Sequence, residues 1–165
     1  MTVERLRAAH DVASFTCGNE ELDHWLRTAA LNSDRAGTAR VYVDIDNTEI
    51  AGYFAIVPHQ VRRADIPSSV GHGGPTTIPG FLLARLAIRR DLQGAGRGGE
   101  LLVLALERIL EAIAIAGGRI IVVDALDDRA AAFYRHFGFA AAALGADRLV
   151  MKASRAAATL GVEWG

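Results

Sequence analysis

The chain has 165 residues, 51% of them hydrophobic, and a formal net charge of −1. That length and apolar content suit a single core of ordinary domain size, while a charge near zero excludes a protein that coats nucleic acid by bulk charge alone. A lone cysteine, Cys17, excludes an intrachain disulfide and a cysteine-rich metal site, so a reducing cytoplasm is expected.

In chain order, Phe15-Thr16-Cys17-Gly18-Asn19 reads as a turn ending in an N-cap. Leu22, Trp25, Leu26 and Ala29 then recur at helical spacing, which predicts a helix from Glu20 to Asn32. Val41 to Ile45 and Ile50 to Val57 are rich in β-branched and aromatic residues and are separated by Asp46-Asn47-Thr48, the pattern of a β-hairpin. Prolines, glycines and serines without periodicity from Asp65 to Gly80 predict a mobile loop between strands. Phe81 to Ile88 is extended in pattern. Past a glycine-rich turn, Leu102, Leu106, Ile109 and Ile113 form the apolar stripe of a helix whose other face carries Glu100, Glu107, Arg108 and Glu111.

Gly117-Gly118 stops that helix, and Arg119 to Ala125 is a continuous apolar strand. Asp127-Asp128 caps a short helix running through Phe137. Ala140 to Ala143 and Arg148 to Lys152 read as a closing pair of strands. The fold class is thus α/β with a mixed sheet, as one domain over residues 1–154, followed by a tail over 155–165 whose structure the pattern does not specify. No apolar run approaches the roughly 20 residues that span a bilayer, and no basic segment leads into an apolar one near the N-terminus, so no membrane role is expected.

The chemistry concentrates at Gln93-Gly94-Ala95-Gly96-Arg97-Gly98-Gly99. Glycines at alternate positions between a strand and a helix free the backbone of Cβ atoms, so successive N–H groups can converge on an anion, and the helix start adds its positive dipole end there. A pyrophosphate fits such a turn. Gly94, Gly96 and Gly99 also satisfy the dinucleotide pattern G-x-G-x-x-G, with Asp124 ending the next strand where a ribose-binding acid would stand. Against that reading, Arg89 to Gln93 intervene between strand and first glycine, and only one β-α-β unit is available. A P-loop is excluded because no Lys-Ser or Lys-Thr pair follows the glycines.

These residues resemble the GNAT acetyltransferase superfamily, whose Gln/Arg-x-x-Gly-x-Gly/Ala motif is met by Gln93, Gly96 and Gly98. Phe15 to Asn19, Leu83 to Ile88, Asp124 to Asp127 and Phe133-Tyr134-Arg135-His136-Phe137-Gly138-Phe139 extend the likeness from Phe15 to Lys152. Taken together they resemble the GNAT toxins of type II toxin–antitoxin systems, which acetylate the amino group of aminoacyl-tRNA. The resemblance implies a mostly antiparallel central sheet splayed around acetyl-CoA, with the pantetheine arm beside the backbone of Leu86, Ala87 and Ile88. It also implies that residues 93–99 and Asp124 line the cofactor, and that Tyr134 protonates the departing thiolate. A ribbon-helix-helix antitoxin and a homodimer are expected from the likeness alone.

Acetyl transfer to an amine needs a neutral amine and a proton for the leaving sulfur. An α-amino group titrates near pH 8, and esterification of the neighbouring carboxyl lowers it further, so no strong protein base is required. Arg85, Arg89 and Arg90 flank the glycine turn, and Arg35, Arg40, Arg62 and Arg63 lie near other loop edges, so these arginines are candidates to track tRNA phosphates. His10, His24, His59, His72 and His136 share no metal-ligand spacing, and no metal is expected. Two alternatives stay open: an acetyltransferase acting on a small or protein amine, and a nucleotide-binding module without turnover.

Overall fold

The structure, a computed structural model, describes residues 1–142 and 147–164, so Ala143, the end of one predicted strand, and Gly165, the end of the tail, lie outside the described residues. In chain order the elements are β1 (Thr2–Arg5), α1 (Glu20–Thr28), α2 (Ala30–Ala36), β2 (Arg40–Asp46), β3 (Glu49–Arg62) and α3 (Ser68–Gly71). There follow β4 (Thr77–Ile88), α4 (Arg97–Ala116), β5 (Ile120–Asp124), α5 (Asp128–His136), β6 (Ala140–Ala141), β7 (Arg148–Lys152) and α6 (Ala153–Leu160). The strands form one seven-stranded sheet in the order β1-β2-β3-β4-β5-β7-β6. Its β4–β5 pair is parallel, and β1–β2, β2–β3, β5–β7 and β6–β7 are antiparallel, which makes the sheet mixed.

The chain divides into two compact units, one formed by Met1–Val57 and Ala84–Ala105, the other by Pro58–Leu83 and the chain from Leu106 on. In the first, the β2–β3 hairpin pairs Val41 with Ala55 and Val43 with Tyr53. Its two-residue turn places Asn47 at φ 50° and Thr48 at φ 70°, the doubly left-handed geometry that matches strand twist. The helix expected as one piece from Glu20 is two, because the backbone at Ala29 leaves helical geometry (φ −126°, ψ −28°). Thr28 Oγ1 donates back to the His24 carbonyl just before that break, a bond that bends helices. Helical spacing of the side chains continues across the break, so the pattern does not reveal it.

Phe15, Leu22, Leu26, Val41, Val43, Ile50, Tyr53 and Ala87 make the apolar core of this unit. The Tyr53 hydroxyl donates to the Leu22 carbonyl at 2.7 Å, satisfying the polar end of a fully buried ring. Arg5 grips both carboxylate oxygens of buried Asp34, which also accepts from the Val41 N–H at 2.9 Å and so ties β1, α2 and β2 together.

In the second unit the stretch expected as a mobile loop is folded. It holds a 3-10 turn at Arg63–Asp65, helix α3 and the first residues of β4. Ile66, Val70 and Ile78 pack with Val61, Ile120, Val122 and Val150, and the Arg63 side chain donates to the Gly74 carbonyl at 2.7 Å. These contacts join residues far apart in sequence, which local periodicity cannot register. The parallel pairing of β4 with β5 covers Gly80–Leu83 against Ile120–Val123, and β4 then runs on to Ile88. Gly80 permits that pairing, since a Cβ there would lie 2.0 Å from the Ile120 carbonyl oxygen. Helix α6 starts at Ala153, just ahead of the tail, and runs into it as far as Leu160, with Ala153, Ala156 and Ala157 buried. Among the described residues no helix is long and apolar enough to cross a membrane.

Candidate active site

The glycine turn is built from the end of β4 to the first turn of α4. Gly94 (φ 85°) and Gly96 (φ 81°) both take the left-handed conformation that suits glycine. No atom lies within 4 Å of a Cβ built on either, so the space outside the turn is open. Along the turn, the N–H groups of Gly94, Ala95, Gly96, Arg97, Gly98 and Gly99 donate to no backbone acceptor among the described residues, and the first such bond comes from Glu100 to the Gly96 carbonyl at 3.2 Å. The turn therefore carries donors without backbone acceptors at the positive end of a 20-residue helix. That is the chemistry of a diphosphate cradle, and the residues fit the pyrophosphate of a coenzyme A thioester.

Two side chains hold the turn in place. Gln93 Nε2 donates to the Cys17 carbonyl at 2.7 Å and the Ile88 carbonyl at 2.9 Å, so its amide nitrogen fastens the turn to the N-terminal loop and to β4. The Gln93 side chain thus braces the shape of the turn. Arg97 points back into the protein, where Nη2 donates to Asp44 Oδ2 at 2.8 Å. Asp44 is fully buried on β2, and among the described residues Asp44 Oδ1 and Arg97 Nε have no hydrogen-bond partner. Asp44 escaped the sequence reading. The signal for it was an acid inside the apolar run Val41-Tyr42-Val43-Asp44-Ile45, since a buried carboxylate is rare unless paired.

Leu86 is half-buried, and Ala87 and Ile88 are buried, at the end of β4 beyond its last pairing with β5 at Leu83. Tyr134 lies on α5 with 8% of its surface exposed, its ring edge-on to Phe133 at 5.2 Å and Phe139 at 5.7 Å. No hydrogen bond of its hydroxyl is found among the described residues, and the ring as a whole is buried. Burial pushes the Tyr134 phenol up to about 12, which keeps it protonated through the neutral range. Phe139 is buried, whereas Phe137 is half-buried.

Asp124 ends β5, and both carboxylate oxygens accept from Arg148, from Nε at 2.7 Å and from Nη2 at 2.8 Å. Its carboxylate is engaged with a neighbouring strand. Cys17 is buried, and burial together with its proximity to Asp23 pushes the thiol up to about 11, the opposite of an activated nucleophile. Among the described residues no group of three metal-ligating side chains occurs.

The arginines divide by what they touch. Arg85 lies 4.5 Å above the Trp25 ring and 3.6 Å from Glu21. Arg89 is paired with Asp91 at 2.7 Å and Glu49 at 3.1 Å. Arg40 donates to the Asp34 carbonyl at 2.9 Å, and Arg62 stands 3.7 Å from Asp65. Arg63 is exposed with one nitrogen on Gly74, and Arg90 and Arg35 are exposed. Arg85, Arg89 and Arg90 stand around one end of β4, while Arg62 and Arg63 belong to the other unit.

A mixed sheet in which a strand, a glycine turn with unpaired N–H groups and a long helix follow one another is the frame of an acetyl-CoA-dependent N-acetyltransferase. The chain belongs to the acetyltransferase (GNAT) family, whose model matches residues 4–139. It is 40% identical over 135 residues to a tRNA-acetylating toxin of Mycobacterium tuberculosis, covering 82% of this chain and 81% of that protein. To a probable toxin TacT of Sinorhizobium fredii it is 31% identical over 144 residues, covering 79% and 78%. Among solved structures, a KacT variant superposes with a TM-score of 0.87 at 25% identity, covering 96% of this chain and 98% of the other. AtaT complexed with acetyl-methionyl-tRNA superposes with a TM-score of 0.85 at 29% identity, covering 93% and 95%.

Proposed function

We propose that this acetyltransferase is a toxin that acetylates the α-amino group of aminoacyl-tRNA in the cytoplasm and so blocks translation. The observation that carries the acetyl-transfer half is the run of N–H groups from Gly94 to Gly99 that donate to no backbone acceptor. The substrate half is supported by the relatives: one is named a tRNA-acetylating toxin, and another carries acetyl-methionyl-tRNA. By the same likeness we propose that the chain is restrained by a ribbon-helix-helix antitoxin and works as a homodimer; AtaT has been solved bound to the antitoxin AtaR.

Acetyl-CoA supplies the acetyl group as an activated thioester. The turn at residues 93–99 holds its diphosphate through backbone N–H groups, and Leu86, Ala87 and Ile88 offer strand-like pairing to the pantetheine arm. Tyr134 keeps its proton at neutral pH and delivers it from Oη to the sulfur as the thiolate leaves. The neighbouring ester lowers the aminoacyl amine enough that it attacks in its neutral form without a strong protein base; the proton its nitrogen sheds as the amide forms goes to solvent, from which the Tyr134 phenolate is reprotonated. Arg62, Arg63, Arg85, Arg89 and Arg90, with Arg40, bear on the tRNA backbone, those least engaged with acids being Arg90 and Arg63.

The test is incubation with labelled acetyl-CoA and a total charged tRNA pool, followed by nuclease digestion and mass spectrometry of the aminoacyl adenosines. Acetylated aminoacyl adenosine is the expected product. Label found only on free amines or proteins would move the substrate to those classes.

A further inference from the structure

At the carboxyl end of β5 three side chains form a cluster that the transfer chemistry above does not use. Asp124 and Arg148 stand opposite each other in the β5–β7 register, and Arg148 binds Asp124 with Nε and Nη2. The remaining arginine nitrogen, Nη1, lies 3.2 Å from Nε2 of His59 on β3. A guanidinium has five donor hydrogens and no acceptor, so the hydrogen bond can exist only if His59 Nε2 accepts. The imidazole must then be neutral and carry its hydrogen on Nδ1. Burial first, then the charge of Arg148, hold His59 below the usual histidine range against an opposing pull from Asp124. Proton placement and charge therefore agree.

His59 is half-buried between exposed Pro58 and exposed Gln60. Its Nδ1–H finds no acceptor among the described residues, since the ring's one hydrogen bond is to Arg148. The cluster stands where the parallel pairing of β4 and β5 stops, at Leu83 and Val123. In open α/β sheets, ligands bind beyond the carboxyl ends of parallel strands. A fixed donor without an acceptor at that place is arranged for an oxygen of the substrate. It cannot serve as a base, because one nitrogen is engaged by arginine and the other already bears the proton.

We propose that His59 is a specificity-determining hydrogen-bond donor whose Nδ1–H donates to the acyl carbonyl oxygen adjacent to the amine being acetylated, with Arg148 and Asp124 as its positioning residues. The inference rests on the aminoacyl-tRNA reading and adds the feature by which an α-amino acyl group is told from a simple amine.

The experiment compares two minimal acceptors, an aminoacyl ester of adenosine and the same amine with the carbonyl replaced by methylene. His59→Asn keeps an N–H two bonds beyond Cβ, where Nδ1 stands, while His59→Leu keeps only the bulk. We expect His59→Leu to lose about 10–100-fold in kcat/KM on the ester and nothing on the carbonyl-free amine, with His59→Asn restoring the ester rate. Nitrogen NMR of the wild-type protein is expected to show a neutral imidazole with hydrogen on Nδ1, and Arg148→Gln to abolish that preference. If wild type acetylates the ester and His59→Leu does so equally well, or if the hydrogen sits on Nε2, the donor role is overturned alone. If wild type binds acetyl-CoA but leaves the ester untouched, the aminoacyl reading falls and this proposal falls with it.

Discussion

Replacing Tyr134 by Phe separates catalysis from packing at one atom. The ring is 8% exposed and meets Phe133 and Phe139 edge-on, contacts that phenylalanine keeps. The hydroxyl bonds to no described residue, so its removal leaves no partner unsatisfied and the cost in stability should stay within about 0.5 kcal/mol. For a chain of this size that is a shift in Tm of about 1–2 °C. Loss of a positioned proton donor is worth roughly 10²–10⁴-fold in rate, or about 3–5 kcal/mol at 1.36 kcal/mol per decade. Tyr134→Ala would instead open a cavity and cost about 3–5 kcal/mol of stability. The assay is single-turnover acetylation with saturating acetyl-CoA, alongside thermal unfolding. Because burial raises the phenol to about 12, its protonated form persists across pH 7–10, and the wild-type transfer step should not decline there through tyrosine ionisation. A Tyr134→Phe variant with unchanged Tm and a rate within about threefold of wild type would refute the acid role.

Gln93→Ala removes the two bonds to the Cys17 and Ile88 carbonyls, which should cost about 1–3 kcal/mol and weaken acetyl-CoA binding by calorimetry without altering the saturated rate. Asp44→Asn leaves Arg97 facing a neutral amide in a buried place; unfolding in denaturant should show a loss of about 2–4 kcal/mol, less than for a fully buried pair because Arg97 keeps some exposure. Gly80→Ala drives a Cβ to 2.0 Å from the Ile120 carbonyl oxygen, so the β4–β5 pair must part, and a drop in Tm of more than about 8 °C is expected from a cost above about 3 kcal/mol.

The hairpin, α4 and the glycine turn were legible because each is written locally. Val41–Ile45 and Ile50–Val57 are rich in β-branched and aromatic residues on either side of an Asn-bearing turn, the stripe from Leu102 to Ile113 has helical period, and the glycines cluster where a helix begins. Strand β1 left little trace, being four residues of which two are exposed and two half-buried. The fold of residues 63–76 was hidden because Ile66 and Val70 pack in a cluster with residues of β5 and β7. In the site, Gln93 was visible as a motif position, but the two carbonyls it joins were not. Asp44–Arg97 and Arg148–His59 connect residues 53 and 89 positions apart, and no spacing rule reaches so far. Backbone chemistry at the turn could be read ahead of the structure, whereas side-chain pairing could not.

The central claim is that the peptide N–H groups of residues 94–99 carry the diphosphate. Titration of isotope-labelled protein with acetyl-CoA, followed through backbone amide chemical shifts, addresses those atoms directly. Large downfield proton shifts at Gly94, Gly96, Gly98 and Gly99, with smaller changes along Leu86–Ile88, are the predicted result. Saturable binding that leaves the amides of 94–99 unmoved would contradict it.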